Sequence, residues 1–219
     1  MKQLHLLICL GLALAWSGCV EVKIKSSIPS VEYYDFGITS STACVNPAKI
    51  RLDIHIPSHL NTTNIITRNN NQLKALPNTQ WIDLPSHLLR SALESKALEK
   101  CVFFTSFGAE KKTIMLEILD LSLHNDDKTD NDKKTSEAVV KANLIIMSGV
   151  NMDIIYSKHI SIQKPIDSNQ DFAKSQNLAT LQSAISQMVE EIIHQSINIQ
   201  NTGAQSTNTA NNTISGNTK

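Results

Sequence analysis

Four constellations in the sequence have residue types and spacings that could do chemistry. His55 and His59 stand four apart, the interval at which two imidazoles share a helix face and grip a zinc ion. Pro57 lies between them and forbids that helix, so surface or capping roles are expected for both. Ser161 and Lys164 have the spacing of serine acyltransferases, which needs a helix. They fall in a stretch of alternating polarity, where residues three apart point to opposite faces of a strand. Between His124 and Lys134 the carboxylates are spaced as in a calcium loop, but the glycine and the closing glutamate are missing from their positions. A solvated hairpin tip is expected there. Cys44 and Cys101 form an even pair, open to a disulfide in an oxidising compartment or to two buried free thiols. His87, His124, His159 and His194 show no partner arrangement in the sequence. No G-x-G-x-x-G or G-x-x-x-x-G-K-[ST] run occurs, so the chain is expected to be neither an enzyme nor a holder of metal or cofactor.

Cys19 invites a different chemistry. Met1-Lys2-Gln3 is a basic start, Leu4 to Trp16 is an apolar run, and Ser17-Gly18 brings small residues directly before the cysteine. A run of this length extends about 20 Å as a helix, short of the roughly 30 Å hydrocarbon core, and fits a cleaved signal peptide. The pattern resembles the lipobox of bacterial lipoproteins, with Trp16 where leucine is usual. It implies acylation of the Cys19 thiol and a permanent hold on a bilayer, at about 0.8 kcal/mol for each buried methylene. Val20 after the cysteine, by analogy with enteric bacteria, directs the product to the periplasmic face of the outer membrane rather than the inner one.

The 219 residues suffice for one ordinary domain with appendages. Lys+Arg 20 against Asp+Glu 20 leaves no cationic excess for a phosphate backbone, so nucleic-acid binding is not expected. Residues 1–18 read as signal peptide, 19–30 as lipidated tether, 31–199 as the domain, and 200–219 as a disordered tail rich in Asn, Thr, Ser and Gln.

The elements that must carry these residues follow from periodicity. Val31–Phe36 reads as a strand; Ile50, Leu52, Ile54 and Ile56 alternate with polar residues as a second. Ile65–Arg68 and Gln72–Ala75 flank Asn69-Asn70-Asn71 as a hairpin. A helix is predicted from Pro85 or Ser86 to about Leu98, then strands over Cys101–Phe107, Lys112–His124, Glu137–Met147 and Asn151–Ile162. On the last of these Met152, Ile154, Tyr156, Ile160 and Ile162 share one face. Gln170 to about Asn198 is a long helix whose seam of Leu178, Leu181, Ile185, Met188 and Ile192 covers the sheet or, in part, a second subunit. The fold class expected is α+β: two layers, a mainly antiparallel sheet covered by two helices.

Ile56-Pro57-Ser58-His59-Leu60, Ile65-Ile66-Thr67-Arg68, Asn71-Gln72-Leu73 and Trp81 resemble the run that the ABC-type transport auxiliary lipoprotein family carries between its second strand and first helix. Pro57, Leu60, Arg68, Leu73 and Trp81 are the matching positions. The resemblance implies a fold like the TolB N-terminal domain. It also implies a periplasmic lipoprotein working with an ABC permease, its ATPase and an MCE-domain protein in moving phospholipid between membranes, either as monomer or homo-oligomer. Pro57 can equally end a strand, Arg68 can be a hairpin side chain, and Trp81 can plug helix against sheet. Another envelope-assembly lipoprotein, such as a lipopolysaccharide-assembly partner or a peptidoglycan-synthase activator, is the competing expectation.

Overall fold

The structure is a computed structural model that describes residues 30–38, 44–107, 111–126, 135–148, 151–166 and 175–210. Cys19 and its tether, the 127–134 hairpin tip, the expected start of the long helix at Gln170 and the end of the tail lie outside these. Backbone contacts divide the chain into Met1–Ser30 and a body, Val31–Lys219.

Eight strands and two helices make up the body: β1 Glu32–Tyr34, β2 Ala48–His55, β3 Asn64–Asn69, β4 Gln72–Trp81, α1 Pro85–Glu99, β5 Val102–Thr105, β6 Lys112–Asp126, β7 Thr135–Ser148, β8 Ile154–Ile166 and α2 Ser175–Ala210. All eight strands join one sheet. The long ladders, β6/β7 and β7/β8, are antiparallel, as is the β3/β4 hairpin. The short ladders β1/β4, β2/β5, β2/β6 and β3/β6 are parallel, so the sheet is mixed. Connections longer than a hairpin, α1 among them, return the chain in the direction it came and make the pairing parallel.

Asn70 takes the left-handed conformation (φ 52°) that the hairpin turn requires, which asparagine tolerates. Pro85 opens α1 at a position where its missing N–H costs nothing. Ala138, Val140, Ala142, Leu144 and Ile146 all lie in the core, as their alternation on β7 demands. Against them lies the α2 seam of Leu178, Leu181, Ile185, Met188 and Ile192, every member buried. Each such side chain contributes about 1.5–3 kcal/mol. The seam covers the sheet, with Leu89, Ala92, Leu93 and Ala97 of α1 beside it.

Two expectations need correction. Met152 sits in the turn before β8 and Ile154 at its open start, both exposed, because the register slips between Ile146 and Met147. Helix α2 runs on to Ala210, eleven residues into the 200–219 stretch whose composition predicts disorder. A formed helix propagates at one hydrogen bond per residue, and the stretch holds no proline to stop it, although Gly203 costs about 1 kcal/mol relative to alanine. Among the described residues no helix is long and apolar enough to cross a membrane.

Candidate functional site

Strand β6 is long enough to take two partners on one edge. Its other edge pairs with β7 along its length. On the shared edge β2 pairs with Thr113–Glu117, and β3 pairs with Ser122–Asn125, both parallel to β6. The sheet therefore forks, and a β-bulge between Ile118 and Asp120 lies at the fork. The bulge is written in the apolar pattern. Ile114, Leu116 and Ile118 enter the core on even positions, Leu121 and Leu123 on odd ones, and only an inserted residue reconciles the two phases. That residue is Leu119, left half-exposed.

The phase change turns Asp120, Ser122 and His124 to the face away from the helices. Asp120 is 6% exposed. Ser122 Oγ donates to its Oδ1 at 2.5 Å and His124 Nε2 lies 3.0 Å from Oδ2. An ionised carboxylate only accepts, so His124 carries its proton on Nε2. Arg68 Nε, from β3, stands 3.6 Å from Oδ2, an ion pair without a hydrogen bond. Burial is the largest influence on Asp120 and opposes its charge. The hydrogen bonds of His124 and Ser122 and the charges of His124 and Arg68 together outweigh it, so the carboxyl lies below its ordinary value. The three side chains are those of a hydrolase triad in a different arrangement. Serine and histidine both donate to the carboxylate instead of the serine to the histidine, and Ser122 is fully buried. The cluster clamps β3 to β6; it does not activate a nucleophile.

The residues shared with the auxiliary lipoprotein run gather at the same fork. The turn from β2 to β3 carries the chain past the gap between the two branches. Pro57 C=O accepts from Leu60 N at 2.9 Å and Asn61 N at 3.0 Å, and Leu60 is buried. Asn61 Oδ1 accepts from Ser86 N at 3.1 Å, satisfying one of the open donors at the start of α1. Trp81 N donates to Thr63 O at 2.7 Å, and its buried ring meets Phe36 edge-on at 5.1 Å. Leu73 lies opposite Arg68 in the hairpin, half-exposed.

The remaining candidates fall apart or pair elsewhere. Ser161 lies on β8 opposite Lys141, while Lys164 reaches Ser183 Oγ of α2 at 2.7 Å, on the helix side. His55 ends β2 and His59 lies in the turn after it, and among the described residues no group of His, Cys, Asp and Glu could hold a metal ion. Cys44 and Cys101 are joined as a disulfide with Cα atoms 5.4 Å apart. The histidines that showed no partner have them: His124 as above, His87 with Asp83 at 3.1 Å, and His159 Nδ1 with Asn143 Oδ1 at 3.0 Å. The Asp120 cluster escaped sequence reading, though the slip from even to odd apolar positions on β6 was its visible signal.

No family model and no curated protein matches the chain. Among solved structures, a Xanthomonas campestris protein described under the family model DUF330 is similar at TM-score 0.61 and 12% identity, covering 80% of this chain and 99% of its own. A second, described only as an uncharacterized protein, has TM-score 0.54 at 12% identity and covers 76% and 98%. At such identities both likenesses show the fold alone. A minor lipoprotein from Acinetobacter baumannii follows at TM-score 0.42 and 10% identity over 69% and 93%, too low to carry an argument.

Proposed function

We propose that this chain is a lipid-anchored periplasmic accessory protein of an MCE-type ABC phospholipid transport system. Cys19 holds it to the outer membrane, and its partners are the MCE-domain protein and the permease–ATPase complex. One observation carries this reading. Pro57, Leu60, Arg68 and Trp81, four of the positions it shares with the auxiliary lipoproteins, all serve the forked sheet. The resemblance therefore rests on residues that set the fold, and residues of that kind suit a scaffold that positions other proteins.

The test begins with labelled palmitate in cells expressing the chain. Wild type should incorporate label and sediment with outer-membrane markers, and Cys19→Ala should do neither. Deleting the gene should change the phospholipid balance between the membranes, and wild type should restore it where Cys19→Ala does not. Label retained by Cys19→Ala, or a phospholipid balance indifferent to the deletion, would overturn the proposal.

A further inference from the structure

The forked sheet ends in three edge strands, β1, β5 and β8, and the last two are built differently. Strand β8 is an edge guarded by lysines: Lys158 pairs with Glu191 and Lys164 with Ser183, both on α2. Charged side chains on an edge strand discourage further pairing. Strand β5 ends another branch, paired among the described residues with β2 alone. Val102 and Phe104 anchor it in the core, and the Cys44–Cys101 disulfide and the Ala48 N to Cys101 O bond (2.9 Å) hold its start. Its outward residue, Phe103, is 44% exposed, Phe107 just beyond is 83% exposed, and Val45 beside the disulfide is exposed too.

Cations surround this apolar edge. Lys49, the ladder partner of Phe103, and Lys100 and Lys111 are exposed, and among the described residues none of them makes an ion pair. Of the acids nearby, Glu99 is engaged by Lys96 and Asp53 by Arg51, while Glu190 of α2 lines a pocket with Lys100, which leaves Lys49 and Lys111 as the cations farthest from a carboxylate on this side. An unguarded, rigidly held strand with aromatic side chains and unneutralised lysines has a definite complement.

We infer that β5 is a docking edge for an extended acidic segment of a partner protein, added to the sheet as a further strand. The segment's backbone pairs with β5, its aliphatic side chains pack on Phe103 and Phe107, and its carboxylates meet Lys49, Lys100 and Lys111. This inference stands apart from the transport reading, since any periplasmic partner with such a segment would serve.

The test uses the full chain and a dye-labelled synthetic peptide of alternating valine and glutamate, long enough to span Val102–Phe107. A second peptide carries lysine in place of glutamate. By fluorescence anisotropy the glutamate peptide should bind at least about tenfold more tightly, and added salt should weaken it. Phe103→Ser with Phe107→Ser, both at exposed positions, should weaken binding about tenfold without moving the melting temperature. Lys49→Glu with Lys100→Glu should reverse the preference between peptides. A photo-crosslinking residue at position 103 should capture the peptide, and one at Ser161 on β8 should not. Equal binding of both peptides, no binding, unchanged binding by the variants or equal capture at position 161 would overturn the inference. So would self-association abolished by Phe103→Ser, which would assign the edge to a second copy, or binding of phosphatidylglycerol vesicles in place of the peptide.

Discussion

His124 Nε2 meets Asp120 Oδ2 at 3.0 Å from four positions along the same strand, on the branch of the fork that β3 joins. Asp120 thereby joins two strands, because Arg68 of β3 approaches the same oxygen at 3.6 Å. Removing the carboxylate leaves Arg68 and His124 half-buried without their acceptor. Asp120→Asn should cost about 3 kcal/mol of stability, and Asp120→Ala at least as much. Urea unfolding of the two variants measures it; a loss within experimental error would mean that the clamp is idle.

The same carboxyl sets an acid limit. It lies below the ordinary value of 3.8 in the folded chain. A group held lower when folded favours folding fully above its unfolded value, and that contribution drains away as pH falls through the folded value. Wild type should hold its melting temperature down to about pH 4 and lose it below. Asp120→Asn should start lower and lack this component of the acid loss. Parallel losses in the two proteins below that pH would assign the acid sensitivity to other carboxylates.

Deleting Leu119 tests the bulge. Without the extra residue Ile118, Leu121 and Leu123 would fall into one unbroken alternation, with Asp120, Ser122 and His124 still on the outer face and the β7 register kept. The deletion should leave unfolding cooperative, and a loss of cooperativity would mean that Leu119 is not the inserted residue. Leu119→Ala, which keeps the count and removes only a half-exposed side chain, should lose less than about 1 kcal/mol.

Most of the fold was legible because it repeats at short range. The alternation on β2 and β7, the asparagines of the hairpin, the proline at the head of α1 and the seam of α2 each declare an element within a few residues. The fork was not legible in the same way. That β2 and β3 share one edge of β6 depends on residues about 60 positions apart, Leu52 with Ile114 and Arg68 with His124, and no local period reports such pairings. The site suffered most, since Asp120, Ser122 and His124 look like polar interruptions until the bulge gives them a common face. The disulfide pairing was open for a related reason: spacing along the chain says nothing of the 5.4 Å between the two Cα atoms.

The disulfide closes a loop across a sequence separation of 57. Chain entropy gives such a loop about 4 kcal/mol, so Cys44→Ala with Cys101→Ala should lower stability by up to that amount. Non-reducing peptide mapping of protein isolated without reductant should recover the two peptides linked. Two free thiols there would refute the bridge under physiological conditions.

Met188 lies at the centre of the α2 seam, 1% exposed. Met188→Asp places a charge without a partner in the core and should destabilise the fold by several kcal/mol, read as a fall in melting temperature. Gln187→Asp, exposed beside Met188 on α2, should leave that temperature almost unchanged. A wild-type melt for Met188→Asp would mean that the seam faces water.

The transport role is tested most directly by crosslinking in native membranes. A photo-crosslinking residue at position 103 of the lipidated chain, with mass spectrometry of the captured species, names the partner. The expected capture, from position 103 or from a second crosslinker at exposed Ser161 on β8, is an MCE-domain protein or the permease of an ABC transporter. Consistent capture of a lipopolysaccharide-assembly protein or a peptidoglycan synthase, with no transporter component, would contradict the transport role.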